Sequence, residues 1–208
     1  MKYRALLLDF DNTLVGTEKA HYTLFTEMFR ELVGRPFERE DLKVFNGTWK
    51  SIFAKMTEIY LPSMTPEEIR AVFTGSKADY FRKHPVSVAK DIERIYALDI
   101  KKAIVTGSSR EEVSIFASSV ELGRFDIIVT DDMYANGKPA PDAFLYAADR
   151  LGFAPQECLS VEDSSIGLRS ARAAGTVTVF TSEFADEDHS GMADYTVGCI
   201  GEVTDLLQ

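Results

Sequence analysis

The sequence predicts an α/β fold, a doubly wound parallel sheet with an α-helical cap inserted after its first strand. Three observations carry this. From residue 87 onward, short apolar runs alternate with helical patterns, the signature of a parallel sheet with right-handed crossovers. Residues 18 to 83 show helical periodicity and no convincing strand. The apolar runs end in polar residues, and in an open α/β sheet the carboxyl ends of the strands border the ligand crevice. The expected division is residues 1–15 and 86–208 for the sheet unit and 16–85 for the cap.

The run Ala5-Leu-Leu-Leu8 reads as a fully buried parallel strand. It ends in two carboxylates one residue apart. Alternate side chains of extended chain share a face, so Asp9 and Asp11 reach one small volume while Phe10 points away. Two like charges that close call for a cation, a proton or water; an Asx-type turn is the alternative use of the same residues. Glu18 to Val33 places Tyr22, Phe25, Phe29 and Leu32 or Val33 at helical steps and closes at Gly34. Ser51 to Leu61 carries Ile52, Phe53, Met56, Ile59 and Tyr60 on a second apolar face. Thr65 caps a third helix with Pro66 at its first position and Glu67 and Glu68 in its first turn. That helix runs through Phe73 towards Phe81, with Gly75 and Ser76 a candidate break, and His84-Pro85 leads back.

The alternation then begins. Helices are expected over Val88 to Leu98, Arg110 to Val120, Asp142 to Leu151 and Ser165 to Ala174, the last closed by Gly175. Strands are expected over Lys101 to Thr106, Phe125 to Thr130, Cys158 to Val161 and Thr176 to Phe180. Tyr195 to Val197 reads as an edge strand and Gly201 to Leu207 as a terminal helix.

Composition narrows the partners. With 208 residues, 45% hydrophobic and 27% charged, the chain has the makeup of a globular protein. A net charge of -10 and a pI near 4.8 argue against nucleic acid or an anionic membrane, both of which need a basic face. A small anionic substrate remains compatible, because a bound metal and a few local cations invert the field of one pocket. Cys158 and Cys199 stand alone, without metal-ligand spacing, and are expected to be reduced thiols. No charged-then-apolar leader pattern and no apolar run of about 18 residues is present. The expected location is the cytoplasm, as a monomer or small homo-oligomer.

Four strand-end or loop stretches collect the chemistry. The first is Asp9-x-Asp11. Thr106-Gly107-Ser108 offers a hydroxyl and backbone N–H groups at a helix start, suited to phosphate or serving simply as a cap. Gly137-Lys138-Pro139-Ala-Pro141-Asp142 holds a lysine on a loop stiffened by two prolines, where it can neutralise a phosphoryl group and a carboxylate together. Val161-Glu162-Asp163-Ser164 brings carboxylates that could complete an oxygen-rich site of the kind Mg²⁺ favours.

In this order and at these positions, Asp9-Phe-Asp11-Asn-Thr13, Thr106-Gly-Ser108, Lys138-Pro-Ala-Pro-Asp142 and Glu162-Asp163-Ser164 resemble the haloacid dehalogenase-like hydrolase superfamily, over essentially the full length. The resemblance implies a Mg²⁺-dependent phosphatase that works through an aspartyl-phosphate on a small phosphorylated metabolite. Asp9 is then the nucleophile and Asp11 the general acid and later the general base. Thr106 bonds the phosphoryl oxygens, with Gly107 and Ser108 beside it, and Lys138 neutralises charge. The metal falls to Asp9, the backbone carbonyl of Asp11 and Asp163, with Glu162 a further ligand or a support to one.

The stretch from Asp9 through Thr17 and Glu18, with His21 beyond, is similar to the β-phosphoglucomutase-like group of sugar-phosphate phosphatases and mutases. That implies Thr17 and His21 at the hinge and the cap entrance. Gly47-Thr-Trp49-Lys50 stands where mutases of the group carry a Gly-x-x-Arg phosphate clamp. Lys50 keeps the charge but not the bidentate geometry. A sugar-phosphate phosphatase is therefore the expectation and a phosphosugar mutase the alternative. A dehalogenase is disfavoured by the presence of Asp11, and a phosphonatase by the lack of a matching cap lysine. A catalytically silent binding module is disfavoured by intact Asp9, Asp11, Lys138 and Asp163. Trp49 is open between a cap-face contact and cap core, and Lys77 is a second candidate cap cation.

Overall fold

A computed structural model of the protein describes residues 3–45 and 49–207. It divides into two compact units, Met1–Thr17 with Val86–Gln208, and Glu18–Pro85. The first is an α/β unit. Its strands β1 (Ala5–Leu8), β4 (Lys101–Val105), β5 (Ile127–Val129), β6 (Cys158–Glu162), β7 (Val177–Thr181) and β8 (Tyr195–Val197) form one sheet in the order β5-β4-β1-β6-β7-β8. Every pairing is parallel, as the alternation of short strands and helices predicts. The central strand β1 is buried along its whole length, which is why Ala-Leu-Leu-Leu reads as an unbroken apolar run and not as an alternation. Helices α6 (Asp142–Leu151) and α7 (Ser165–Ala174) cover one face. There Phe144, Ala147 and Ala171 pack on Leu7, Val105 and Val129.

Two further strands, β2 (Val15–Gly16) and β3 (Ser87–Val88), pair antiparallel where the chain leaves and re-enters this unit. Neither was expected. Val88 and Ala89 are used here, with the Ala89 N–H donating to the Leu14 carbonyl at 2.9 Å. The helix expected from Val88 therefore shrinks to α4 (Ile92–Tyr96), started by Asp91 in a left-handed conformation at φ 59°. The helix expected from Arg110 to Val120 is likewise shorter. Its regular part, α5 (Arg110–Ile115), ends before Phe116, and the N–H groups of Phe116, Ala117 and Ser119 donate to carbonyls three residues back. The terminal segment is a 3₁₀ helix, Ile200–Leu207.

The second unit is helical: α1 (Glu18–Val33), α2 (Trp49–Ile59) and α3 (Pro66–Lys83). Thr65 caps α3 by accepting the Glu68 N–H at 3.2 Å while Glu68 returns to the Thr65 N–H at 2.7 Å, a capping box. The helix is continuous through Gly75 and Ser76, the candidate break; the Ser76 hydroxyl satisfies itself on the Val72 carbonyl at 3.0 Å. Phe25, Phe29, Phe53, Phe73, Met56 and Ile69 form the core. Beside it, Asp41 accepts both arms of Arg35 at 2.8 Å and the Tyr60 hydroxyl. Among the described residues, no helix is long and apolar enough to cross a membrane.

Candidate active site

The polar cluster lies at the carboxyl ends of β1, β4 and β6. The Asp9 N–H donates to the Val161 carbonyl at 3.0 Å, extending the β1–β6 ladder by one residue and fixing where the Asp9 side chain starts. Beyond it Asn12 adopts φ 56°, a left-handed conformation that asparagine tolerates better than most residues. That bend returns the chain so that the Thr17 N–H donates to Asn12 Oδ1 at 3.1 Å.

Lys138 is the junction of the cluster. Its ammonium donates to Asp9 Oδ1 at 2.6 Å, Glu162 Oε1 at 2.5 Å and the Val105 carbonyl at 3.0 Å. Three donors meet three acceptors, and the side chains of Lys138, Asp9 and Glu162 are 12%, 9% and 1% exposed. The loop that carries Lys138 is tied to α7 by the Ser170 hydroxyl, 2.5 Å from the Ala140 carbonyl.

Asp11 takes no part in that pairing. Thr17 Oγ1 donates to its Oδ1 at 2.7 Å and Ser108 Oγ to its Oδ2 at 2.8 Å. The two aspartates that the sequence places side by side thus have separate environments, one ion-paired and one held by two hydroxyls. Thr106 Oγ1 accepts the Ser108 N–H at 3.0 Å, which leaves its own proton free to donate. Ser109 rather than Ser108 caps α5, accepting the Glu112 N–H. Gly107 lies in the turn between Thr106 and Ser108.

Asp9, Glu162 and Asp163 each offer a carboxylate oxygen, all within 4.8 Å of one another. Burial first, and then Glu162, push the Asp9 carboxyl well above its usual range, to about 8, against the opposing pull of Lys138. Burial, then Asp9 and Glu162, push Asp163 up to about 9. Burial draws the Lys138 ammonium down, but Asp9 and Glu162 outweigh it and its pKa rises. The raised values mean that Asp9 and Asp163 do not both ionise readily beside Glu162 with Lys138 as the one neighbouring cation; full ionisation of the three carboxylates would exceed that ammonium by two charges in a largely buried volume. A hard, all-oxygen donor set whose ionisation calls for added positive charge fits a divalent cation of the Mg²⁺ kind.

Sequence reasoning passed over Gly167. A Cβ there would sit 1.9 Å from Glu162 Cδ and Oε2 and 2.1 Å from Oε1, so the Glu162 carboxylate lies against the bare Cα of α7. Its Oε2 also accepts the Ser164 hydroxyl at 3.1 Å, while Ser164 Oγ caps α7 by accepting the Gly167 N–H at 3.1 Å. The available signal was a glycine two residues into a helix, where it costs stability relative to alanine.

Among the expected site residues, the structure brings Asp9, Asp11, Thr17, Thr106, Gly107, Ser108, Lys138, Glu162 and Asp163 together in the α/β unit. His21 and Lys50 belong to the helical unit. His21 stands edge-on to Trp49 and Phe81, with ring centroids 5.9 and 5.3 Å away. Lys50 is exposed in the first turn of α2. Trp49 packs among Phe73, Phe53 and Phe45 at 4.5 to 5.8 Å, the environment of core. Lys77 is buried, its ammonium 5.1 Å from the centre of the Phe73 ring. Gly47 and Thr48 of the expected phosphate clamp lie outside the described residues.

The doubly wound sheet thus gathers a lysine and four acids at its carboxyl edge. The family model described as haloacid dehalogenase-like hydrolase matches residues 6–181, and the chain belongs to that family, as its motif order implied. It is 32% identical over 212 residues to the protein CbbY of Rhodobacter capsulatus, covering 95% of this chain and 93% of that one. It is 28% identical over 185 residues to the fructose-1-phosphate phosphatase YqaB of Escherichia coli strain K12, covering 84% and 94%. Its fold is similar, at a TM-score of 0.82 and 24% identity, to a variant CbbY of Rhodobacter sphaeroides crystallised with xylulose-(1,5)bisphosphate, covering 96% of each chain.

Proposed function

We propose that this protein is a Mg²⁺-dependent phosphatase that hydrolyses a small sugar phosphate through an aspartyl-phosphate. That it is a hydrolase of phosphoric monoesters follows from its family and from phosphatases of the YqaB kind among its relatives. The observation that carries the finer reading is the Lys138 ammonium, bonded at once to Asp9 and to Glu162.

Asp9 is the nucleophile. A carboxylate attacks a phosphate dianion poorly unless charge is neutralised first, and Lys138 already contacts the attacking carboxylate. The Asp9 oxygen bonds to phosphorus as the ester oxygen leaves, and Asp11 gives that oxygen a proton. Thr17 and Ser108 fix the Asp11 carboxyl in place for this transfer. Asp11 then takes a proton from water, which attacks the same phosphorus and releases Asp9. Thr106 is placed to donate its hydroxyl proton to a phosphoryl oxygen, with the Gly107 and Ser108 turn beside it. Asp9, Asp163 and the backbone carbonyl of Asp11 would hold Mg²⁺, which when bound supplies charge neutralisation on the phosphoryl oxygens. Glu162 is bonded on both oxygens, by Lys138 and Ser164, and its role is to aim Lys138. In-line positioning and charge neutralisation supply most of the acceleration in such a reaction. We assign Thr17, His21 and Lys50 to substrate recognition, and the helical unit to the role of cap.

The test is phosphate release from a panel of hexose and pentose phosphates with and without Mg²⁺, beside the Asp9→Asn variant. Mg²⁺-dependent release that vanishes in the variant is the expected result. Release that survives Asp9→Asn overturns the mechanism, and isomerisation with little free phosphate overturns the phosphatase in favour of a mutase.

A further inference from the structure

Asn136 and Gly137 directly precede Lys138, on an exposed stretch of the loop into α6. The fold does not require a glycine there. Gly137 is outside the left-handed region, and a methyl group on its Cα would meet nothing within 4 Å. What a glycine does provide is an unshielded backbone nitrogen beside an asparagine amide, and asparagine is among the thermolabile residues. The chain has three asparagines. Asn12 precedes threonine and is buried, Asn46 precedes Gly47 outside the described residues, and Asn136 stands next to the lysine that contacts Asp9.

We propose that Asn136 is a site of spontaneous deamidation whose product releases Lys138 from Asp9. The Gly137 nitrogen attacks Asn136 Cγ. The new N–Cγ bond forms as the Cγ–Nδ2 bond breaks, and the Gly137 proton leaves with the amide group as ammonia. Water then opens the five-membered imide at either carbonyl, giving aspartate or isoaspartate, with no change of oxidation state. In the unmodified chain Asn136 Nδ2 and its backbone N–H both donate to Asp142 Oδ1, at 2.9 and 3.1 Å. Either product replaces the Nδ2 donor with a carboxylate facing Asp142. Isoaspartate also adds a methylene to the main chain immediately ahead of Gly137 and Lys138. Both changes fall on the segment that sets the 2.6 Å contact between Lys138 and Asp9.

The consequence for turnover rests on the phosphatase reading, whereas the modification and the freeing of Lys138 do not. The intact protein is aged at mildly alkaline pH and sampled over days. Peptide mass spectrometry and isoaspartyl methyltransferase follow position 136, an amine-reactive ester reports Lys138, and phosphate release reports turnover. The expected result is amide-to-acid conversion at Asn136, with Lys138 labelling rising and turnover falling in step with the converted fraction. Gly137→Ala, which the open space around Gly137 tolerates, is expected to start at full activity and to keep both readouts constant. Conversion confined to Asn46, or conversion at Asn136 with Lys138 still protected, overturns the proposal. Absence of any phosphate release, with the mass and labelling changes intact, overturns the phosphatase reading alone.

Discussion

Gly167→Ala adds one methyl group, and its effect can be worked from the contact it makes. The new carbon would sit 1.9 Å from the Cδ of Glu162, where non-bonded carbons rest at about 3.5 Å or more. The carboxylate must retreat by roughly 1.5 Å. Its contact to Lys138, now 2.5 Å, then lengthens beyond hydrogen-bond range. Breaking one side of a buried pair costs about 3–5 kcal/mol, and the better helix propensity of alanine returns about 1 kcal/mol. The net loss is about 2–4 kcal/mol, a fall in Tm of about 5–15 °C for a chain of this size. A catalytic group displaced by about 1 Å costs roughly a hundredfold in rate, so kcat for phosphate release should fall by about that factor. Shortening the acid relieves the clash, so Glu162→Asp in the Gly167→Ala background should restore part of both quantities. Thermal melts followed by circular dichroism and steady-state phosphate release measure the effect. Unchanged Tm and kcat in Gly167→Ala would mean that Glu162 holds Lys138 from another rotamer and that the bare Cα of Gly167 is not required.

Other perturbations read other parts of the site. Asp9→Asn replaces the nucleophile with a near-isostere; phosphate release should disappear while the melting curve keeps its cooperative form. Thr17→Val removes the hydroxyl 2.7 Å from Asp11 Oδ1 and should lower kcat by roughly tenfold with little change in KM, since general acid–base catalysis is worth about 10²–10⁴ in all. Asp163→Asn removes one potential negative charge from the carboxylate cluster and should raise the Mg²⁺ concentration for half-maximal activity; an unchanged titration would exclude Asp163 from the metal set. The helical unit should be acid-sensitive. The Arg35 fork first, with the Tyr60 hydroxyl and against burial, holds the Asp41 carboxyl well below the usual carboxylate range. A depressed folded pKa gives stability that is present above the unfolded pKa and lost as pH falls, so the loss begins near pH ~4 and deepens below it. Trp49 is the single tryptophan and lies in this unit, so its fluorescence reports the transition selectively. Asp41→Asn should flatten the pH dependence.

Strands and helices can be read from the chain wherever local forces dominate. The apolar run 5–8, the Thr65 N-cap and the Gly175 stop were legible because each rests on neighbours within a few residues. The chemical inventory was legible as well, since Asp9, Asp11, Lys138, Glu162 and Asp163 each stand at a strand end or on a stiff loop. Tertiary structure decided what those residues do to one another. Lys138 meets Asp9 across 129 residues, and Ser108 meets Asp11 across 97. Contacts at that separation follow from strand order, which seats β1 between β4 and β6, and strand order is set by long-range pairing that no local pattern encodes. The same holds for β2 and β3, two residues each, too short to carry a period and formed only because the two chain crossings meet. Gly167 shows the limit most directly. In the sequence it is a weak helix residue, and only the folded chain reveals that the missing methyl group is the space in which the Glu162 carboxylate rests.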